Sequence, residues 1–124
     1  MIWIYRLLIV LVSGTIFNVW LLRLGNPTPY RGGDAASLQE EFLTYGLGDS
    51  LFYFVGGLKL LAAILLLVGL KFEKLIVPAT QIIAVLMIGA IAMHFKVADP
   101  WLKSLPAATM LLMSFAIMRL HKQL

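Results

Sequence analysis

Four apolar runs, none holding more than one Lys, Arg, Asp or Glu, constrain this sequence more than any other feature; they cover residues 2–22, 51–69, 75–95 and 105–120. At about 1.5 Å per residue, a helix of about 20 residues spans the roughly 30 Å hydrocarbon core of a bilayer. Composition points the same way: 61% of residues are hydrophobic, 13% are charged, and mean hydropathy is +0.94. A soluble domain keeps about a quarter of its residues charged. The expected class is therefore all-α, a transmembrane four-helix bundle forming a single domain over 1–124, with no linker and no internal repeat to divide it.

The helix boundaries follow from local signals. The run 2–22 carries Arg6 near its start and Asn18 near its end; it exceeds a signal-peptide core and lacks a small-x-small cleavage site, so it reads as a retained helix. The run 51–69 follows Asp49 and Ser50, both good N-caps, and closes at Gly69, where glycine can adopt the left-handed conformation. Pro78 falls in the first turn of 75–95, where its missing N–H costs little. Only residues 71–74 separate these two runs, which makes them antiparallel neighbours. For 105–120, Asp99-Pro100 and Ser104-Leu105-Pro106 offer alternative starts.

The one long connection, 23–50, opens with a stretch too rich in Gly and Pro to be helical. Its character then changes. Ser37 and Glu40 form a capping box, Leu38, Phe42 and Tyr45 repeat at helical spacing, and Gly46 supplies a stop. A short amphipathic interfacial helix over about 35–45 is expected, against the membrane surface or over the mouth of the bundle.

Arg6, Lys71, Lys74, Arg119 and Lys122 fall on the N-terminal side, and Arg23, Arg31, Lys96 and Lys103 on the other. This bias of five against four favours cytoplasmic termini in the cell membrane, with Tyr30 and Trp101 as outer interfacial aromatics. The chain has no cysteine, which excludes disulfides and thiol chemistry, and its formal charge of +4 is scattered, which gives nucleic-acid binding no support.

Lys59 is the most informative residue, because a charge near the bilayer centre costs about 2.5–3.5 kcal/mol on insertion scales and so should face protein or water. It lies roughly 13 Å below the outer end of its helix. Gly56, Lys59 and Ala63 share a face, with small residues flanking the lysine where another helix would approach closely. Asn18 and His94 belong to the same outer half, and Gly14, four residues before Asn18, suggests that Asn18 faces inward. Glu41 is the expected partner of the Lys59 ammonium, since the capping box occupies Glu40. The competing reading is that the ammonium snorkels or makes a buried ion pair that holds the bundle together.

His94 is open to a hydrogen-bonded structural role or a proton-relay role; with His121 on the opposite side of the membrane, one chain supplies no bis-His pair and no metal site is expected. Arg31, with Tyr30 and the pair Gly32-Gly33, is either a recognition element, through its fork of donors, or a rigid turn. Gln81 suggests interhelical hydrogen bonding, and Met110, Met113 and Met118 suggest packing. No nucleophile–base pair, carboxylate dyad or phosphate loop stands out, so the residues leave open whether any reaction is catalysed.

The spaced elements Thr28-Pro29-Tyr30-Arg31-Gly32-Gly33, Glu41-Phe42 with Tyr45-Gly46-Leu47, Gly56 with Lys59, Gly89-Ala90 with His94, Asp99-Pro100, and Lys103-Ser104 with Pro106 resemble the DoxX-like membrane proteins. They extend over nearly the whole chain, and the loop hexapeptide and the stretch from Asp99 to Ser104 are the more specific parts. The resemblance implies a four-helix membrane fold. The family takes its name from a subunit of a thiosulfate–quinone oxidoreductase, and other relatives are linked to membrane oxidoreductase complexes or look like receptor assembly factors.

The expected function is binding of a small hydrophobic or amphipathic molecule, a quinone or a lipid, in an outer-half pocket lined by Lys59, Asn18, His94, Tyr30, Arg31 and Glu41. The alternative is a non-catalytic accessory subunit of a larger membrane complex. The lipid bilayer is the expected surrounding, a membrane protein partner or a homo-oligomer stays open, and no cofactor is assigned beyond the quinone this reading admits.

Overall fold

The computed structural model of the protein describes residues 2–22, 30, 32, 35 and 37–124, with the backbone alone at Leu38 and Thr44. Among the described residues, four helices are long and apolar enough to cross a membrane. The first, α1 (Ile2–Phe17), continues as a wider π turn over Asn18–Leu22. The short α2 (Leu38–Thr44) precedes α3 (Asp49–Val68), α4 (Ile76–Lys96) and α5 (Leu105–Gln123). Short 3₁₀ turns at Glu73–Leu75 and Trp101–Ser104 lead into α4 and α5.

Helix α3 packs on α1 and α4, α4 on α5, and α5 back on α1, so the four long helices close into an antiparallel ring. Ile9, Val12, Ile16, Leu66, Ile83 and Ile117 fill the centre. Small side chains let the backbones approach where water gives no driving force: Ser13 on α1, Ala62 and Ala63 on α3, Ala79, Thr80 and Ala84 on α4, and Ala107 and Ser114 on α5 are all buried. Trp3, Leu22, Tyr53, Val85 and Leu112 face outward, as an apolar solvent permits. At the end bearing both termini, Tyr5 Oη and His121 Nδ1 lie 2.8 Å apart with their rings stacked, which ties α1 to α5.

The short helix stands where the sequence puts it. Ser37 is its N-cap and accepts from the Glu40 N–H at 3.2 Å, Glu40 and Glu41 occupy the first turn, where negative charge suits the helix dipole, and Gly46 at φ +80° ends it. Helix α2 lies across the start of α3, and the Gln39 amide donates to Asp49 at 2.9 Å.

Three local readings are corrected. Helix α3 starts earlier than expected, with Gly48 as N-cap and Asp49 in the first turn, where its charge still favours the N-terminus. Gly69 caps α3 in right-handed geometry (φ −62°); it is small because a Cβ there would collide with Ile76 Cδ1, not because the backbone turns left-handed. Gly14 faces outward with nothing near its Cβ position, so it gives no support for an inward Asn18, which is half-buried at the start of the π turn.

Candidate functional site

At the end of the bundle away from the termini, the turn that continues α1 meets α3 under α2 through aromatic residues. The Trp20 ring lies 5.4 Å from Phe52, tilted by 32°, and Phe42 of α2 meets both rings edge-on, at 5.9 and 5.3 Å. Gly56 makes this possible, because a Cβ at that position would fall 2.5 Å from the Trp20 ring. One turn deeper, the Lys59 ammonium sits 5.1 Å from the centroid of the same ring, within cation–π range.

Beside this cluster runs a chain of buried ionisable groups. Tyr45, at the end of α2, donates its hydroxyl to Glu41 Oε1 at 2.5 Å and lies 3.4 Å from the ring nitrogens of His94 on α4. His94 Nε2 is 3.9 Å from Glu41 Oε1, and Nδ1 is 2.8 Å from Asp99 Oδ2. A carboxylate only accepts, so in the short contact to Asp99 it is Nδ1–H that donates, and Nε2 lies on the Glu41 side of the ring. Lys103 approaches Asp99 at 3.7 Å, and Lys96 donates to the Tyr45 carbonyl at 2.8 Å, fastening α4 to the C-terminus of α2. Glu41, Tyr45 and His94 are each no more than 8% exposed, a depth at which polar groups hold their place only through partners.

Backbone geometry aims Asp99. After α4 the chain turns at Ala98, whose φ of 56° lies in the left-handed region; the Asp99 N–H then reaches the His94 carbonyl at 2.9 Å and the Ala98 N–H reaches the Phe95 carbonyl. This is the six-to-one and five-to-two pairing of a Schellman ending, with alanine where glycine is usual. The turn folds the Asp99 carboxylate back onto the histidine of its own helix. A strained backbone position beside a buried polar cluster is where function is sought.

The structure brings Glu41 and His94 together and sets Lys59 within electrostatic reach of Glu41. No direct ion pair joins Lys59 to Glu41, whose near oxygen is taken by Tyr45. Among the described residues, Lys59 makes neither a hydrogen bond nor a salt bridge. Tyr30 lies apart from this cluster, in an apolar groove of about 300 Å³ between α1 and α5, with Thr15, Pro106, Thr109, Met110 and Met113. Arg31 lies outside the described residues. Gln81 faces outward and makes no side-chain hydrogen bond among the described residues.

Tyr45 and Asp99 are site residues that sequence reasoning missed. Apart from the family resemblance, Tyr45 reads in the sequence as an apolar repeat of a short helix and Asp99 as a helix-start signal. The signal that could have found Asp99 is its spacing, five residues after a histidine at a helix end, which one left-handed turn converts into contact.

Among the described residues, no group of three His, Cys, Asp or Glu side chains is placed to hold a metal ion. Chemically, the cluster offers hydrogen-bond donors from the Lys59 ammonium and the Tyr45 hydroxyl, and acceptor oxygens from Glu41 and Asp99. A sequence model of the DoxX-like family matches residues 33–117, which include all of these groups. The chain belongs to the DoxX-like family. That match, with the four apolar helices, makes this an integral membrane protein, and the DoxX-like region contains α2 to α4 and most of α5. No curated protein and no solved structure matches the chain.

Proposed function

We propose that this DoxX-like protein binds a small amphipathic molecule whose polar head sits between Lys59 and the Glu41–Tyr45–His94–Asp99 chain, at the outer end of the bundle. The observation that carries the reading is the Lys59 ammonium, half-buried about 15 Å along α3 and without a hydrogen-bond acceptor among the described residues. An ammonium has three donors and accepts nothing, so the head it recognises must bring an acceptor oxygen. A quinone carbonyl and a lipid ester or carboxylate both meet that demand, and both enter from the membrane. The alternative role, as an accessory subunit, leaves the acceptor to a partner chain.

Purification in mild detergent followed by solvent extraction and mass spectrometry tests the reading. A quinone or lipid retained near one per chain, and lost in Lys59→Met, is the expected result. A stoichiometric protein partner with no retained small molecule would favour the accessory role.

The proposed setting is the cell membrane, with both termini cytoplasmic and α2 on the outer side, supported by the cation bias and the even number of spans. Cysteines at Trp101, in the turn that leads into α5, and at Gln123, at the far end of α5, both exposed, should label with an impermeant reagent from outside and inside respectively. The reversed pattern would invert the orientation.

A further inference from the structure

One polar side chain stands on the lipid-facing surface well inside the hydrocarbon. Gln81 is exposed on α4, eight residues into a span that runs from Glu73 to Lys96. At about 1.5 Å per residue that is roughly 12 Å from the end of a span about 36 Å long, or about 9 Å inside a 30 Å core. A glutamine side chain is too short to carry its amide back to the headgroups from there. Among the described residues it makes no side-chain hydrogen bond, and neither of the helices beside α4 offers it one.

The rest of this face is apolar and regular. Gln81, Val85, Ile88 and Ala92 follow one another at i, i+4, i+7 and i+11, all exposed, with Val85 at 67% and Ile88 at 52%. That spacing is the seam along which two helices pack at a shallow left-handed crossing. The small Ala92 sits where such a pair would come close. Lipid tails cannot satisfy an amide, whereas another amide can, because each carries two N–H donors and an acceptor oxygen.

We propose that the chain pairs with a second copy of itself through this face of α4, the two Gln81 amides hydrogen-bonding across a two-fold axis normal to the membrane. A second copy is the occupant because it necessarily carries the same amide at the same depth, and an amide is self-complementary as donor and acceptor. Inserted chains share one orientation, so the two α4 helices run parallel and the contact is isologous, with each amide both donating and accepting. The seam is exposed, whereas His94 on the same helix is buried toward the bundle, so dimerisation stands or falls independently of ligand binding.

The absence of cysteine gives a clean background for cross-linking in native membranes. Single cysteines at Val85 and Ile88 should form a disulfide-linked dimer under mild oxidation. Cysteines at Leu61 on α3 and Leu112 on α5, also exposed, should do so weakly. Adding Gln81→Leu to Val85→Cys should lower the linked fraction at least several-fold, while Gln81→Asn, which keeps an amide, should retain most of it. Gln81→Leu removes no bond within the chain, so thermal unfolding should be unchanged under conditions where the protein is monomeric. If that variant does not accumulate, the pattern of cross-linking from the outward faces of α3, α4 and α5 decides instead. Equal linking from all faces, indifference to Gln81→Leu, or linking of Val85→Cys to a different protein would overturn the proposal.

Discussion

His94 and Asp99 are joined twice: the Asp99 N–H donates to the His94 carbonyl at 2.9 Å, and the Asp99 carboxylate lies 2.8 Å from His94 Nδ1. The backbone bond closes the Schellman turn, and the turn sets the side-chain bond. Local chain geometry thus fixes the tautomer of a buried histidine that faces a second carboxylate, Glu41, at 3.9 Å.

The turn depends on Ala98 at φ 56°, a conformation that costs a residue with a Cβ about 1–2 kcal/mol. Ala98→Gly should therefore raise the thermal midpoint in detergent, by a gain of about 1 kcal/mol once the extra freedom of glycine in the unfolded chain is subtracted. Ala98→Val should lower it. Equal midpoints for all three proteins would show that the turn carries no strain.

Tyr45→Phe removes the donor to Glu41 and leaves part of a buried carboxylate unsatisfied, at an expected cost of about 1–3 kcal/mol. Glu41→Gln perturbs the same bond from the other side. Because the two residues share it, the double variant should lose less than the sum of the single losses. Thermal unfolding of the four proteins measures the coupling, and strict additivity would remove Tyr45 from the chain of contacts.

Gly56→Ala places a methyl group 2.5 Å from the Trp20 ring and should destabilise the protein by about 1–3 kcal/mol through overpacking. Trp20→Leu should be tolerated better in the Gly56→Ala background than in the native one, since the smaller side chain vacates that space. An unfolding series that shows no such rescue would mean the ring moves aside freely.

The parts of this structure that depend on local sequence were readable in advance. Long apolar runs can only be helices in lipid, the Ser37–Glu40 signature marked the start of α2, and Gly46 marked its end. That Lys59 would face protein followed from the cost of a charge at its depth, and its ammonium lies against the Trp20 ring. The partners of His94 were not readable, because Tyr45 meets it across 49 residues and Asp99 through a left-handed turn made by alanine, which carries no glycine signal. Gly14, Gly56 and Gly69 look alike in sequence, yet only Gly56 and Gly69 of these three face a neighbour, Trp20 and Ile76 respectively. Which glycine admits a neighbour is decided by how the helices rotate in the ring, a property of the assembled bundle.

The central claim is that Lys59 anchors the polar head of a membrane-soluble ligand, and Trp20, 5.1 Å from its ammonium, is a reporter already in place. With Trp3 and Trp101 changed to Phe, Trp20 is the single tryptophan left of three. Its fluorescence should be quenched saturably by a short-chain quinone, or shifted in its emission by a fatty acid, and Lys59→Met should weaken the affinity so measured at least tenfold while the protein stays folded. Superimposable titrations of the unsubstituted protein and the Lys59→Met variant, both folded, would contradict the claim and leave the lysine a structural charge held by the Trp20 ring and the field of Glu41.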